Sequence, residues 1–549
     1  NGDGLQDIVI TQYGDTKSYV IYGTTGTGRS ALTMSSLAAS DGFSITGQNT
    51  SDPSGIGDIN GDGYDDLYVV NLSSTSGANQ ATVIYGSANP TSVVASSIAS
   101  SQGFKINTNS GDNLSHFYRN QVVSGDFNGD GFNDIVVTTE PGSSTGGSSY
   151  VLFGGPSSIN AFVSAGSNLS TLLGTQTTPM GYVVTGTSRN DVGMGKTGTN
   201  TDDINGDGLS DFVLNDSSSS SANDGFYVVF GKTSTTSVSE STIKNGSGGY
   251  WINASGLMGD IDVVGDFNGD GLADVVVAAN ANNGVDAGKA WLIYGKTDGT
   301  SVDLSQITSS TGNQYGFLLR TGFVDTGNTT TFNYAQFIGS SVAAAGDLNG
   351  DGFADLLVSQ PNVDVNGVVD AGQTYVIYGG PTSGGSPTVF SAGSGDALGT
   401  TGDDILTGTS GNNQIVAGLG NDTLTGNGGA DVLYGGAGND TFVLNASNVT
   451  AFASTSSSQA VMRVDGGTGL DVLRLDGSGI TLDLTAIKRE DLKNIEIIDM
   501  TGSGANTLKL SIKDVIEMGQ HNIFNVDPAA TDSKVQLMVT GDANTGVHL

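Results

Sequence analysis

Cysteine is absent from the 549 residues, so no disulfide supports the fold or marks an oxidising compartment. Positive charge is scarce. Against 55 Asp and Glu stand 19 Lys and Arg, a formal net charge of −36. Nucleic acid and anionic membrane surfaces are bound through Lys and Arg, so this balance argues against both as partners. No run of eighteen apolar residues occurs, so no helix is expected to span a membrane, and no signal peptide is visible. The three histidines, His116, His521 and His548, are scattered without metal-ligand spacing. Disorder does not explain the acidity, because only 13% of residues are charged and 36% are hydrophobic. The acid is concentrated in motifs rather than in runs.

The motif is Asp-x-Asn-Gly-Asp-Gly-x-x-Asp, present in five full copies at 58–66, 126–134, 203–211, 266–274 and 347–355. A sixth copy is cut by residue 1 and retains Asn1, Asp3, Leu5 and Asp7. Alternate residues of a tight loop converge, so side-chain oxygens at positions 1, 3, 5 and 9 and a carbonyl at position 7 suit Ca²⁺. This ion takes six to eight oxygens at about 2.3–2.6 Å. The expected ligands are Asp58, Asn60, Asp62, Tyr64 and Asp66; Asp126, Asn128, Asp130, Phe132 and Asp134; and Asp203, Asn205, Asp207, Leu209 and Asp211. The same positions hold Asp266, Asn268, Asp270, Leu272 and Asp274, and then Asp347, Asn349, Asp351, Phe353 and Asp355. Glycine at position 6 permits the sharp reversal. An EF-hand starts alike but closes with Glu at position 12, where this chain has Val69, Val137, Leu214, Val277 and Val358. Each lies in an apolar run, so the loop leads into a β-strand.

Position 5 recurs at intervals of 59, 68, 77, 63 and 81 residues. Each interval runs from loop to buried strand, to a variable polar loop, to a strand ending in aromatic-Gly (Tyr22-Gly23, Tyr85-Gly86, Phe153-Gly154, Phe230-Gly231, Tyr294-Gly295, Tyr378-Gly379). A further strand follows in most intervals, for example at Phe43, Phe104, Tyr182, Tyr250 and Phe317. With the strand before each loop this makes about four strands per unit, the blade of a β-propeller. The segment 337–347 with its loop and the strand 356–361 resembles the FG-GAP repeat of integrin α-subunit propellers, and the resemblance covers roughly residues 1–390. It implies a seven-bladed disc with calcium loops on one face. Six units are visible, so a blade is expected upstream of residue 1, the chain being a piece of something longer.

From residue 399 the period becomes nine: 399–407, 408–416, 417–425, 426–434 and 435–443. Position 6 is Asp404, Asn413, Asp422, Asp431 and Asp440, and position 8 is Leu406, Ile415, Leu424, Leu433 and Phe442. This pattern is similar to the RTX calcium β-roll, in which six residues make an ion-binding turn and three a short strand. The resemblance implies secretion by a type I system and folding driven by external Ca²⁺. Asn413 is the weaker ligand of the series. One more match, ending at Asp471 and Leu473, follows a Ser/Thr/Ala-rich insertion at 445–460. Runs at 480–484, 495–500 and 507–510 read as further strands, and 511–518 as a short helix capped by Ser511. The expected domains are 1–395, 396–445 and 446–549, all-β throughout. Roughly ten to twelve ions would offset on the order of 20 charges.

No catalytic constellation stands out. The match to a nucleophile elbow at 142–146 sits in a low-complexity loop, and the near phosphate loop at 23–30 has Arg29 for Lys. The chain is therefore expected to be non-catalytic and extracellular, where weak calcium sites of about 10⁻⁴–10⁻³ M are filled. Three roles stand open: an adhesion module of a large bacterial surface protein with a protein or glycan partner, a self-associating structural subunit of a surface layer or fibre, and an accessory region of a secreted enzyme.

Overall fold

The structure is a computed structural model. It describes residues 7–11, 17–24, 31–47, 53–71, 80–108, 112–114, 122–141, 147–173, 176–186, 201–216, 225–254, 260–278, 289–307, 315–320, 341–348, 353–360, 373–380, 397–400, 402–452, 462–487, 491–501, 504–511, 515, 520–521, 535–541 and 546–548. The chain forms two units, one of Asn1–Thr201, Phe212–Asn253 and Gly299–Ser301, the other of Asp202–Asp211, Ala254–Asp298 and Val302–Leu549. The fold is all-β with a few short helices. Among the described residues no helix is long and apolar enough to cross a membrane.

In the first unit the expected four-strand repeat is complete twice. Ser54–Gly57, Asp66–Asn71, Gln80–Ile84 and Gly103–Asn107 pair antiparallel in chain order. Val123–Gly125, Asp134–Pro141, Ser148–Leu152 and Gly181–Thr185 do the same. Alternate side chains of one strand enter different cores, as the period of two requires. Tyr68 and Val70 join Ile135, Val137 and Tyr150 in one cluster, while Val69 joins Val20, Tyr22 and Ile45 in another. Both faces are therefore buried, which is why these strands read as unbroken apolar runs rather than as an alternation.

Two devices were not anticipated. Short parallel strands tie repeats together: Val93–Val94 pairs with Gly42–Thr46, and Val238–Ser239 with Gly181–Thr185. A glycine bulge precedes several loops. The register shifts at Gly57, Gly265 and Gly346, whose φ values are 67°, 80° and 66°. An extra left-handed residue bends the strand end and aims the following aspartate into its loop. A helix, Pro156–Ser164, also interrupts the β pattern, with Pro at its start and Ser158, Ile159 and Phe162 buried.

The second unit contains Ile261–Gly265, Asp274–Ala278, Lys289–Ile293 and Gly316–Arg320 as one antiparallel sheet, and Ser341–Gly346, Asp355–Gln360 and Gln373–Ile377 as another. It then changes architecture. Two parallel sheets grow by alternate turns, one from Ala397–Leu398, Gln414–Leu419, Val432–Ala437, Arg463–Thr468 and Leu492–Lys493. The other takes Ile405–Thr407, Thr423–Thr425, Thr441–Leu444, Val472–Leu475, Ile497–Asp499 and Met538–Thr540. Ile415, Leu424, Leu433, Phe442, Val464 and Leu473 stack inside, each essentially inaccessible. The strands expected near 480, 495 and 507 are present at Thr481–Asp483, Ile497–Asp499 and Thr507–Lys509. The helix expected at 511–518 falls largely outside the described residues, where the Val515 N–H bonding the Ser511 carbonyl at 3.3 Å marks one turn. The insertion after residue 444 opens with a helix, Ala446–Phe452, which the Ser/Thr/Ala composition does not announce.

Candidate metal centre

Four loops, 58–66, 126–134, 203–211 and 266–274, share one hydrogen-bond scheme. The first aspartate (Asp58, Asp126, Asp203 or Asp266) accepts the N–H groups of positions 4 and 5 on Oδ1 at 2.6–3.1 Å. Its Oδ2 accepts the N–H of position 6 at 2.6–2.7 Å. Asn60, Asn128, Asn205 and Asn268 accept the N–H of position 5 at 2.7–2.8 Å. The N–H of Tyr64, Phe132, Leu209 or Leu272 donates to the position-5 aspartate (Asp62, Asp130, Asp207 or Asp270) at 2.9–3.1 Å. The positions expected to hold an ion are thus locked by backbone before any ion is considered. Glycines at positions 4 and 6 both have φ between 74° and 87°, so the doubled Asn-Gly-Asp-Gly, and not position 6 alone, carries the turn.

Position 9 has a second task. Asp66, Asp134 and Asp274 are fully buried. One oxygen accepts the N–H of loop position 2, and the other that of the glycine after the aromatic-Gly strand (Gly86, Gly154 or Gly295) at 2.7–2.8 Å. Asp355 does the same with Leu348 and Gly379, and Asp7 accepts the Gly23 N–H. This explains the pairing of a loop with an aromatic-Gly end in these five repeats. Asp211 accepts the N–H groups of Ile204 and Asn205.

Position 7 also acts through its side chain. A Cβ on Gly61 would lie 2.3 Å from the Phe132 ring, one on Gly269 2.3 Å from Phe353, and one on Gly206 2.9 Å from Leu272. These three loops are each seated on the one that follows. Main-chain bonds repeat the tie: the N–H groups of Gly155, Lys232, Lys296 and Gly380 donate to the carbonyls of Ile59, Phe127, Ile204 and Phe267 at 2.6–2.9 Å. Gly61→Ala is therefore expected to cost about 1–3 kcal/mol, from a left-handed alanine pressed against a ring. Chemical denaturation measures the loss, and an unchanged midpoint would contradict the contact.

The electrostatics favour a cation. Burial, reinforced by neighbouring Asp62 and Asp58, pushes the Asp66 carboxyl up to about 8. Burial and Asp266 push Asp270 up to about 7, and Asp134 and Asp274 are raised well above the ordinary carboxylate range for the same reasons. Among the described residues no group of three or more His, Cys, Asp or Glu forms a metal cluster unaided. An ion in these loops would draw on amide and backbone oxygens as well, the donor set of Ca²⁺. Asn1, Asp3, Leu5, Asn349 and Asp351 lie outside the described residues; Asp347 is described and exposed.

In the roll, aspartates stack along one edge. The N–H of Asp404 donates to Asp422 Oδ1, that of Asp422 to Asp440, that of Asp440 to Asp471, and that of Asp471 to Glu496 Oε2, all at 2.7–2.8 Å. The second oxygens of Asp422, Asp440 and Asp471 are buried without a hydrogen-bond partner. Burial raises Asp440 to about 6 and Asp471 to about 8. An unpartnered buried carboxylate oxygen is costly, and three in a column fit a column of cations. Glu496, the last rung, was not anticipated, because it follows no nonapeptide. On the opposite edge Asn413 donates its N–H to Asp431 Oδ1 at 2.8 Å.

Within the second unit the outer face of the roll meets two loops. Arg463 places Nη2 2.5 Å from Asp203 Oδ2 and bonds the Gly271 carbonyl through Nη1. The Tyr434 hydroxyl donates to Asp266 Oδ2 at 2.7 Å, and Lys493 Nζ lies 3.4 Å from Asp202 Oδ1. No local sequence signal marks these three residues.

Comparison with known families agrees with this geometry. The RTX calcium-binding nonapeptide repeat matches residues 391–424, 398–432 and 407–442, and the FG-GAP repeat matches 118–152, 258–293 and 338–377. The chain thus carries FG-GAP repeats followed by RTX repeats, in that order. It is also similar to the phosphatidylinositol-glycan-specific phospholipase D of Dictyostelium discoideum, 27% identical over 217 residues. That match covers 35% of this chain and 21% of the relative's length.

Proposed function

We propose that this chain is a non-catalytic, calcium-dependent recognition module of a secreted bacterial surface protein. In this reading Ca²⁺ holds the scaffold and the variable loops between strands meet a protein or glycan on another cell. The observation that carries the calcium part is the column of unpartnered, buried oxygens on Asp422, Asp440 and Asp471. In the loops, Asp58, Asp62 and Asp66 and their counterparts supply the charge, Asn60, Asn128, Asn205 and Asn268 an amide oxygen, and position 7 a carbonyl. Asp404 opens the roll column, and the ion would offset the carboxylate charge gathered there. Export by a type I route belongs to the same reading and is supported by the RTX character, with the chain unfolded until it meets external calcium. The test is saturable binding of the purified chain to intact cells or immobilised glycans with and without Ca²⁺. Binding that needs calcium and is lost on trimming a variable loop supports the reading; equal retention on every surface counts against it.

Replacing Asp270 by Asn is expected to weaken one loop by at least the roughly ten- to a hundredfold that follows loss of a group merely supporting a metal ligand. The response of the roll to calcium stays intact. Calorimetric titration separates the two classes of site, and a change in all of them together would contradict independent loops.

A second reading is favoured by the similarity to the Dictyostelium discoideum phospholipase D. In it these repeats accompany a catalytic domain of a larger secreted protein and position it on its substrate. Activity that depends on the repeats only when they are joined to such a domain would support this role.

A further inference from the structure

We propose that the two edges of the roll differ in kind: the edge of Asp422, Asp440 and Asp471 takes calcium, whereas at Asp431 the side-chain amide of Asn448 stands in the place of a cation and the turn closes without metal. The inference rests on the calcium reading above. On both edges the backbone pattern is the same, each N–H donating to the Oδ1 of the residue eighteen or more positions on. The edges part at the second oxygen. Asp431 Oδ2 accepts Asn448 Nδ2 at 2.7 Å, and both residues are fully buried. The same amide also reaches the Gly429 carbonyl at 3.3 Å, and Asn448 Oδ1 accepts the Asn445 N–H at 3.2 Å.

The correspondence of the two places can be read from the glycine that opens each turn. A Cβ on Gly435 would meet Asp440 Oδ2 at 2.3 Å and the Gly466 carbonyl oxygen at 2.5 Å, two acceptors facing one point. A Cβ on Gly426 would meet Asp431 Oδ2 at 2.4 Å and Asn448 Nδ2 at 2.9 Å, an acceptor facing a donor. Two acceptors call for a cation, whereas an acceptor and an amide N–H satisfy each other and oppose one. The Asp431 N–H, moreover, points to Met462 Sδ at 3.3 Å instead of to a further carboxylate, so the column has no next rung. Before it, Asn413 is neutral and its Oδ1 accepts the N–H and hydroxyl of Thr409. The helix Ala446–Phe452 delivers the amide. The insertion that breaks the nonapeptide repeat thereby seals one edge, giving the roll an anchor that does not wait for calcium.

The test counts calcium bound by the full chain at saturation, by equilibrium dialysis with radioactive calcium, with circular dichroism as the check on folding. Asp431→Asn is expected to bind as many ions as the parent, whereas Asp440→Asn loses at least one. Asn448→Asp, which turns the donor into a second carboxylate, is expected to gain one ion and to become more dependent on calcium for its melting temperature. A folded Asp431→Asn chain that loses an ion overturns the proposal, as does a folded Asn448→Asp chain that gains none. If Asp440→Asn keeps the full count, the calcium reading of the roll fails and this inference falls with it.

Discussion

A chain stripped of calcium is expected to lose the cooperative melting transition of its roll and to regain it when the ion is returned. The reason lies in how little each rung contributes. One turn buries a single large side chain, such as Leu424 or Phe442, which stabilises by about 1.5–3 kcal/mol. Ordering its backbone costs about 1–2 kcal/mol for each residue. An ion present at a hundredfold excess over its Kd adds about 2.7 kcal/mol. Three ions at Asp422, Asp440 and Asp471 would thus add about 8 kcal/mol, a sum on the scale of the whole stability of a domain. Heating followed by circular dichroism, with and without Ca²⁺, reads the difference, and superimposable curves would refute it.

The sign of the pH dependence should reverse with the metal. In the stripped chain Asp66 and Asp471 are raised to about 8 and Asp440 to about 6, by burial first. A carboxyl raised above its unfolded value binds its proton more tightly when folded, so its contribution is present at low pH and is lost as pH rises through the folded value. The metal-free chain is therefore expected to melt at a higher temperature at pH 5 than at pH 8. With calcium the carboxylates must be ionised to bind, and the order inverts.

Replacing Arg463 by Met is expected to destabilise the second unit by about 3–5 kcal/mol, the cost of breaking a buried ion pair from one side. Asp203 is fully buried at 2.5 Å from the guanidinium, and Asp491, at 3.8 Å, is nearly so. Neither can be hydrated when the cation goes. Arg463→Lys keeps the charge but loses the planar fork that also bonds the Gly271 carbonyl, so it should lose part of the stability and not all. Denaturant unfolding of the two variants ranks them; equal midpoints for parent and Arg463→Met would show that the pair contributes nothing.

Much of this fold is written locally. Apolar runs such as Val275-Val276-Val277 and turn residues such as Asn268-Gly269-Asp270-Gly271 are set by backbone sterics within a few residues, and the structure places strands and loops where those signals stand. The nonapeptide register is likewise local, and its five inward residues are those expected, Leu406 being less buried on the first strand of its sheet. What sequence could not announce depends on partners far along the chain. The buried role of Asp66 needs Gly86, the setting of Asp203 needs Arg463, and the closure of Asp431 needs Asn448. Asn448 is the sharpest case: it lies in a Ser/Thr/Ala-rich stretch that composition marks as filler, yet its amide answers a carboxylate that the repeat alone assigns to calcium.

Crystals grown in calcium and measured for anomalous scattering would locate every ion at once. The expected map has peaks beside Asp422, Asp440 and Asp471 and within the 58–66, 126–134, 203–211 and 266–274 loops, and no peak beside Asp431. A map without peaks along the Asp422–Asp440–Asp471 edge would contradict a scaffold held by calcium.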